Sequence, residues 1–139
     1  MTATEKYLVL DYRRDRISEI ELWDNGIIFI KIDDGAEIGL EDSKRQLDFL
    51  KEKYDGINKF KVLVIPGRYS TLSKEAREFS TKPETNEMTL ANAVVVQSLA
   101  HRIVLNFIIS LTRQQNMKMR IFDDKNKAID WLLSFEKNK

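Results

Sequence analysis

The stretch Phe60-Lys61-Val62-Leu63-Val64-Ile65-Pro66-Gly67 decides the fold of this 139-residue chain. It is a continuous apolar run broken only by Lys61 and stopped by Pro-Gly, and it reads as a strand covered on both faces of a sheet. Two similar runs follow it. Leu90 to Val96 is one, and Met117 to Phe122 is the other, with Met117, Met119 and Ile121 on one side. Around these runs the apolar period lengthens to that of helices. Ser73 to Phe79 is expected as a short helix with Ser73 as N-cap, although Ala76 leaves the reciprocal capping box incomplete. Ser98 can cap a long helix whose inner stripe is expected to be Leu99, Ile103, Phe107 and Leu111, broadened by Ile108 and Ile109. Asp123 or Asp124 caps a last helix, with Ala128, Trp131, Leu132 and Phe135 facing inward. Strands joined through helices run parallel by right-handed crossovers.

Upstream, the period is that of a hairpin. Ile20 and Leu22 alternate with Glu19 and Glu21, then Asp24-Asn25-Gly26 turns the chain. Asn-Gly suits a tight turn because both residues tolerate positive φ. Ile27 to Ile32 is the returning strand, and Asp33-Asp34-Gly35 turns again toward a short strand at Ala36 to Ile38. Tyr7 to Tyr12 fits either a further strand or an ordered arm. From Leu40 a helix is expected, with Leu40, Leu47, Leu50 and Tyr54 on one face. Glu41 and Asp42 would sit in its first turn, and Gly56 would stop it. Thr81 to Thr89, with Pro83, reads as a surface connection within a single domain spanning 1–139. The expected class is α/β: a mixed sheet with an N-terminal hairpin and parallel strands joined by helices.

Composition excludes several functions. The chain is 42% hydrophobic, which suits a folded core. Lys plus Arg number 23 against 22 Asp plus Glu, so a net charge of +1 supplies no general field for nucleic acid or an anionic membrane. There is no Cys, hence no disulfide framework, thiolate metal site or Cys nucleophile, and the single His cannot form a cluster. Met1 to Lys6 is short and polar, and no apolar run approaches the roughly 18 residues of a membrane span. A cytoplasmic protein is the default expectation.

The element order is similar to the SpoIIAA-like fold of STAS domains, including uncharacterised bacterial STAS/SEC14-type proteins. The stretches that carry the resemblance are Ile20-Glu21-Leu22-Trp23-Asp24-Asn25-Gly26-Ile27, Ile38-Gly39-Leu40-Glu41-Asp42-Ser43, Arg102-Ile103-Val104-Leu105-Asn106-Phe107 and Arg120-Ile121-Phe122-Asp123-Asp124 with Ala128-Ile129-Asp130-Trp131-Leu132. These patterns maintain a fold. The resemblance implies a non-catalytic module of the kind that acts as an anti-sigma-factor antagonist or as a regulatory part of transporters and sensory complexes. In the antagonists a Ser or Thr at the start of the second helix is phosphorylated. The matching place here is Gly67-Arg68-Tyr69-Ser70-Thr71-Leu72-Ser73, which lacks the Asp-Ser/Thr-Ser-Gly motif, so Ser70 and Thr71 are candidates by position alone.

The candidate ligand- or phosphate-binding loop is therefore Gly67, Arg68, Tyr69, Ser70, Thr71 and Ser73. It leaves the carboxyl end of a parallel strand, where open α/β sheets usually bind ligands. Gly67 permits close backbone approach, Arg68 can pair with an anion, and the following helix offers N–H groups. The plainer reading is a turn with one N-cap. His101, Arg102 and Asn106 form a candidate partner surface, His101 having no carboxylate at helical spacing to make it a base. Asp33-Asp34 and Asp123-Asp124 read as turn and capping residues, and no metal site is expected. The leading expectation is a regulatory or protein-interaction module that is not an enzyme and needs no cofactor. The alternative is a binding protein for a small apolar or anionic ligand. The edge strand and the broad apolar helix leave room for a homodimer.

Overall fold

A computed structural model describes residues 7–135. Its frame is a six-stranded sheet in the order β1-β2-β3-β5-β7-β8, made of β1 (Val9–Arg14), β2 (Ser18–Trp23), β3 (Ile27–Ile32), β5 (Phe60–Ile65), β7 (Thr89–Val95) and β8 (Lys118–Phe122). The first two junctions are antiparallel and the remaining three parallel. The helices are α1 (Leu40–Lys53), α2 (Lys74–Ser80), α3 (Leu99–Thr112) and α4 (Lys125–Ser134). This is the mixed α/β architecture expected from the apolar runs.

Side-chain alternation along the strands assigns the helices to faces. On one face Ile20, Ile30 and Val62 pack with Phe49 and Leu50 of α1 and Ala76 of α2. Val94 and Val96 pack with Leu105 and Ile108 of α3, and Val64 and Leu72 touch both groups, so three helices share that face. On the other face Ala128, Ile129 and Leu132 of α4 meet Trp23, Ile27, Phe29 and Leu63. Ala91 and Ala93, both fully buried, keep β7 flat there, so α4 can approach closely. Each large side chain buried this way stabilises by about 1.5–3 kcal/mol.

Local chemistry explains the boundaries. Gly26 supplies φ +87° for the β2–β3 turn, and Asn25 Oδ1 accepts the Ile27 N–H. Of Tyr7 to Tyr12, the residues from Val9 onward form the start of the edge strand β1, and Tyr7 just before it stacks on Trp23. The short strand after Gly35 is β4 (Glu37–Ile38). It pairs with β6 (Thr71–Leu72) in a separate two-stranded sheet and does not extend the hairpin. Ser73 caps α2, Ser98 caps α3 and Asp124 caps α4, each accepting a first-turn N–H. The 81–89 connection holds a 3₁₀ turn, Pro83–Asn86, tied to the rest of the protein by Asn86 and Gln115.

Two expectations about helix faces are corrected. In α1 the buried residues are Asp42, Phe49 and Leu50, while Leu40 and Leu47 are only partly covered. In α3 the stripe Leu99, Ile103, Phe107 and Leu111 faces outward, exposed by 73%, 61%, 58% and 51%. The inner positions are Leu105, Ile108 and Thr112. The helix is apolar on two sides, so periodicity alone cannot choose the inner one. In α4, Ile129 takes a core position, and Trp131 and Phe135 pack edge to face at the rim.

Candidate functional site

The loop from Pro66 to Ser73 is stitched onto the turn that follows β3. A Cβ on Gly67 would lie 2.3 Å from the Asp33 carbonyl carbon and oxygen and 2.5 Å from Asp34 N, so only glycine fits. The close approach predicted for Gly67 is thus made by the protein's own backbone. Asp34 Oδ1 accepts the Arg68 N–H at 2.8 Å, and the Arg68 carbonyl accepts the Gly35 N–H at 2.7 Å. The Thr71 and Ser73 N–H groups bond to Ala36 and Ile38 carbonyls, both at 2.9 Å. The Arg68, Ser70, Thr71 and Ser73 N–H groups are all used within the fold.

The candidate loop residues divide accordingly. Arg68, Tyr69 and Thr71 reach solvent, Tyr69 at 87% exposure with φ +59°. Ser70 is buried, and its Oγ donates to the Gly67 carbonyl at 2.8 Å. Ser73 is the α2 cap, accepting the Ala76 N–H. From α3, His101 Nε2–H donates to the Ser70 carbonyl at 2.8 Å, with Ser70 Oγ 3.4 Å from the same nitrogen. His101 therefore turns inward and joins α3 to the loop. Arg102 and Asn106 stand exposed on the outer side of α3.

The carboxylate pairs have structural partners. Asp33 pairs with Arg14, and Asp124 caps α4. The Arg14 guanidinium holds the Asp33 carboxyl below the usual carboxylate range. A further carboxylate, Asp42, is buried at the start of α1. It accepts the Gly39 N–H at 2.9 Å and pairs with Arg16 and Arg45. Hydrogen bonds from the Arg16 guanidinium hold its carboxyl below the usual carboxylate range, against the opposing effect of burial. Among the described residues no three metal-ligating side chains converge, and no helix is long and apolar enough to cross a membrane.

Sequence reasoning missed a cavity. It has a volume of about 350 Å³ and lies between the sheet and the helices α1, α2 and α3. Val62, Val64, Asn92, Val94 and Met119 form its sheet side. Gln46, Leu47 and Leu50 come from α1, Arg77 and Phe79 from α2, and His101, Val104 and Ile108 from α3. Two polar atoms on these lining residues, Gln46 Nε2 and Asn92 Oδ1, are shielded from solvent and have no hydrogen-bond partner. Asn92 within a buried strand was the one signal in the sequence, since an amide there needs a partner.

A hairpin edge, parallel strands and three helices grouped on one face define a SpoIIAA-like α/β domain. Residues 20–136 match the family model described as Domain of unknown function (DUF7793), and the chain belongs to that family. No curated protein matches its sequence. In structure it is similar to an uncharacterised protein of the DUF3478 family with a SpoIIAA-like fold from Shewanella loihica PV-4. The TM-score is 0.59 at 15% identity, over 91% of this chain and 93% of that one.

Proposed function

We propose that this protein is a non-catalytic docking module of the STAS-like class, and that the outer face of α3 receives a segment of another protein. The observation that carries the reading is the row Leu99, Ile103, Phe107 and Leu111, each at least half exposed at four-residue spacing. Such a row presents on the order of 400 Å² of apolar surface, a size that marks interaction sites, while a standard stable interface buries about 800 Å² per partner. That shortfall favours a short amphipathic segment over a second copy. Charge favours it too. Residues 99–112 contain no carboxylate, Arg102 lies beside the row, and exposed Arg68 sits on the loop that His101 ties to α3. A copy of the same face brings no opposite charge, whereas a segment with carboxylates flanking its apolar residues does.

The test compares wild type with an Ile103→Asp/Phe107→Asp variant, both folded by circular dichroism, as baits in a lysate of the encoding organism. The reading requires a captured protein that is lost with the variant and that binds purified wild type through an acidic amphipathic segment. A wild-type protein that is dimeric in sedimentation and made monomeric by the variant would replace this occupant with a second copy. Capture unaffected by the variant would reject the surface.

The cavity favours a second reading, a binding protein for a small ligand. Its volume lies in the range of small-molecule sites. Binding of any amphiphile to purified protein, abolished when the cavity is filled by Val64→Trp, tests that reading.

A further inference from the structure

We propose that the cavity selects an apolar carboxylic acid, with Arg77 as the residue that recognises the carboxylate. This inference rests on the second reading above and names its ligand class. The lining is mostly aliphatic, with branched and sulfur-containing side chains from the sheet and from α1 and α3. It contains no Asp or Glu. It does contain Arg77, half-buried on α2.

The state of that guanidinium is unusual within this protein. Arg13, Arg14, Arg16 and Arg45 each pair with a carboxylate. Arg120 lies over the Phe122 ring. Arg68, Arg102 and Arg113 are exposed to water. Arg77 is half-buried and lines the cavity, and its side chain has no counterion, hydrogen bond or ring contact among the described residues. A guanidinium at an apolar cavity wall with no anion beside it is open to a ligand, and a bidentate carboxylate is its best-matched partner.

The lining also carries the hydroxyl side chains of Ser43, Ser80, Thr85 and Thr89, and two amide atoms without partners. Gln46 Nε2 is a free donor suited to an anion or a carbonyl. Asn92 Oδ1 is a free acceptor on the sheet side, suited to a hydroxyl or N–H carried on the body of the ligand. His101 adds no charge-seeking donor at Nε2, which is already given to the Ser70 carbonyl. One cation, a few neutral polar groups and a mostly apolar wall describe an amphiphilic acid better than a hydrocarbon.

The test measures binding of sodium dodecanoate and of dodecanol, each below its aggregation limit, by calorimetry. The proteins are wild type, Arg77→Met and Arg77→Lys, with folding checked by circular dichroism. The proposal expects dodecanoate to bind wild type at one site, about tenfold or more tighter than dodecanol. Arg77→Met should erase that preference, and Arg77→Lys should retain part of it. Equal binding of acid and alcohol, or a preference that survives Arg77→Met, overturns the carboxylate assignment and leaves the cavity reading standing. Absence of binding by both probes overturns both.

Discussion

His101 Nε2 and the Ser70 carbonyl oxygen, 2.8 Å apart, join the start of α3 to the loop that leaves β5. The bond crosses the rim of the cavity, which both residues line. It also fixes the rotation of α3, since His101 shares its inner face with Leu105, Ile108 and Thr112. One imidazole therefore helps to decide which apolar side of the helix meets the sheet. Replacing it by His101→Ala is expected to cost about 1 kcal/mol in urea unfolding. Faster hydrogen exchange should appear at the Ser70 and Thr71 amides and in the first turn of α3, with the α4 face unchanged.

The two sides of α3 should respond oppositely to substitution. Ile108→Ala and Leu105→Ala remove core contacts and are expected to destabilise by about 2–4 kcal/mol. Ile103→Ser and Phe107→Ser remove exposed side chains and should stay within about 0.5 kcal/mol of wild type. Thermal or urea melts of the four variants separate these outcomes. Equal losses on both sides would place the outer row in a core.

Gly67→Ala tests how tightly the loop is seated. The added methyl meets Asp33 backbone, which cannot swing aside as a side chain would. A loss of about 2–3 kcal/mol is expected in urea unfolding, in the range of overpacked sites. A neutral result would show the Asp33–Gly35 turn to be free to move.

Asp42 gives the fold a pH dependence with a definite sign. Its pKa is lowered in the folded state from 3.8, mainly by the Arg16 hydrogen bonds. Its contribution is therefore fully present above the unfolded value and is lost as pH falls through the lower folded one. Asp42→Asn should be less stable by about 2 kcal/mol at neutral pH, because it loses two charge-assisted pairs. The gap to wild type should hold constant down to about pH 5 and shrink below pH 4, where the unfolded chain's carboxylate takes up a proton that the folded one still resists. A gap that widens in acid contradicts the assignment.

The frame was legible in the sequence where chemistry is local. Asn25-Gly26, the apolar run at Phe60, and the caps Ser73, Ser98 and Asp124 depend on neighbours a few residues away, and the structure places them as expected. The parts that were not legible depend on distant contacts. Asp42 reads as a first-turn charge until Arg16 arrives from the β1–β2 turn. Leu99, Ile103, Phe107 and Leu111 form a stripe at helical spacing, but a stripe does not say which way a helix with two apolar sides will turn. Ser70 is a modification candidate by position alone, and its burial beneath His101 is visible only in three dimensions. The cavity is the space left between elements, and sequence periodicity carries no record of it.

The outer face of α3 as a docking surface is tested most directly by site-specific photo-crosslinking. A photoreactive residue is placed at Phe107 in the cell, with a second at buried Ile108 as a control. A crosslink is expected from position 107 alone, to a different protein, at a segment carrying carboxylates beside apolar residues. Crosslinks from 107 only to another copy of this chain, or to nothing, would contradict it.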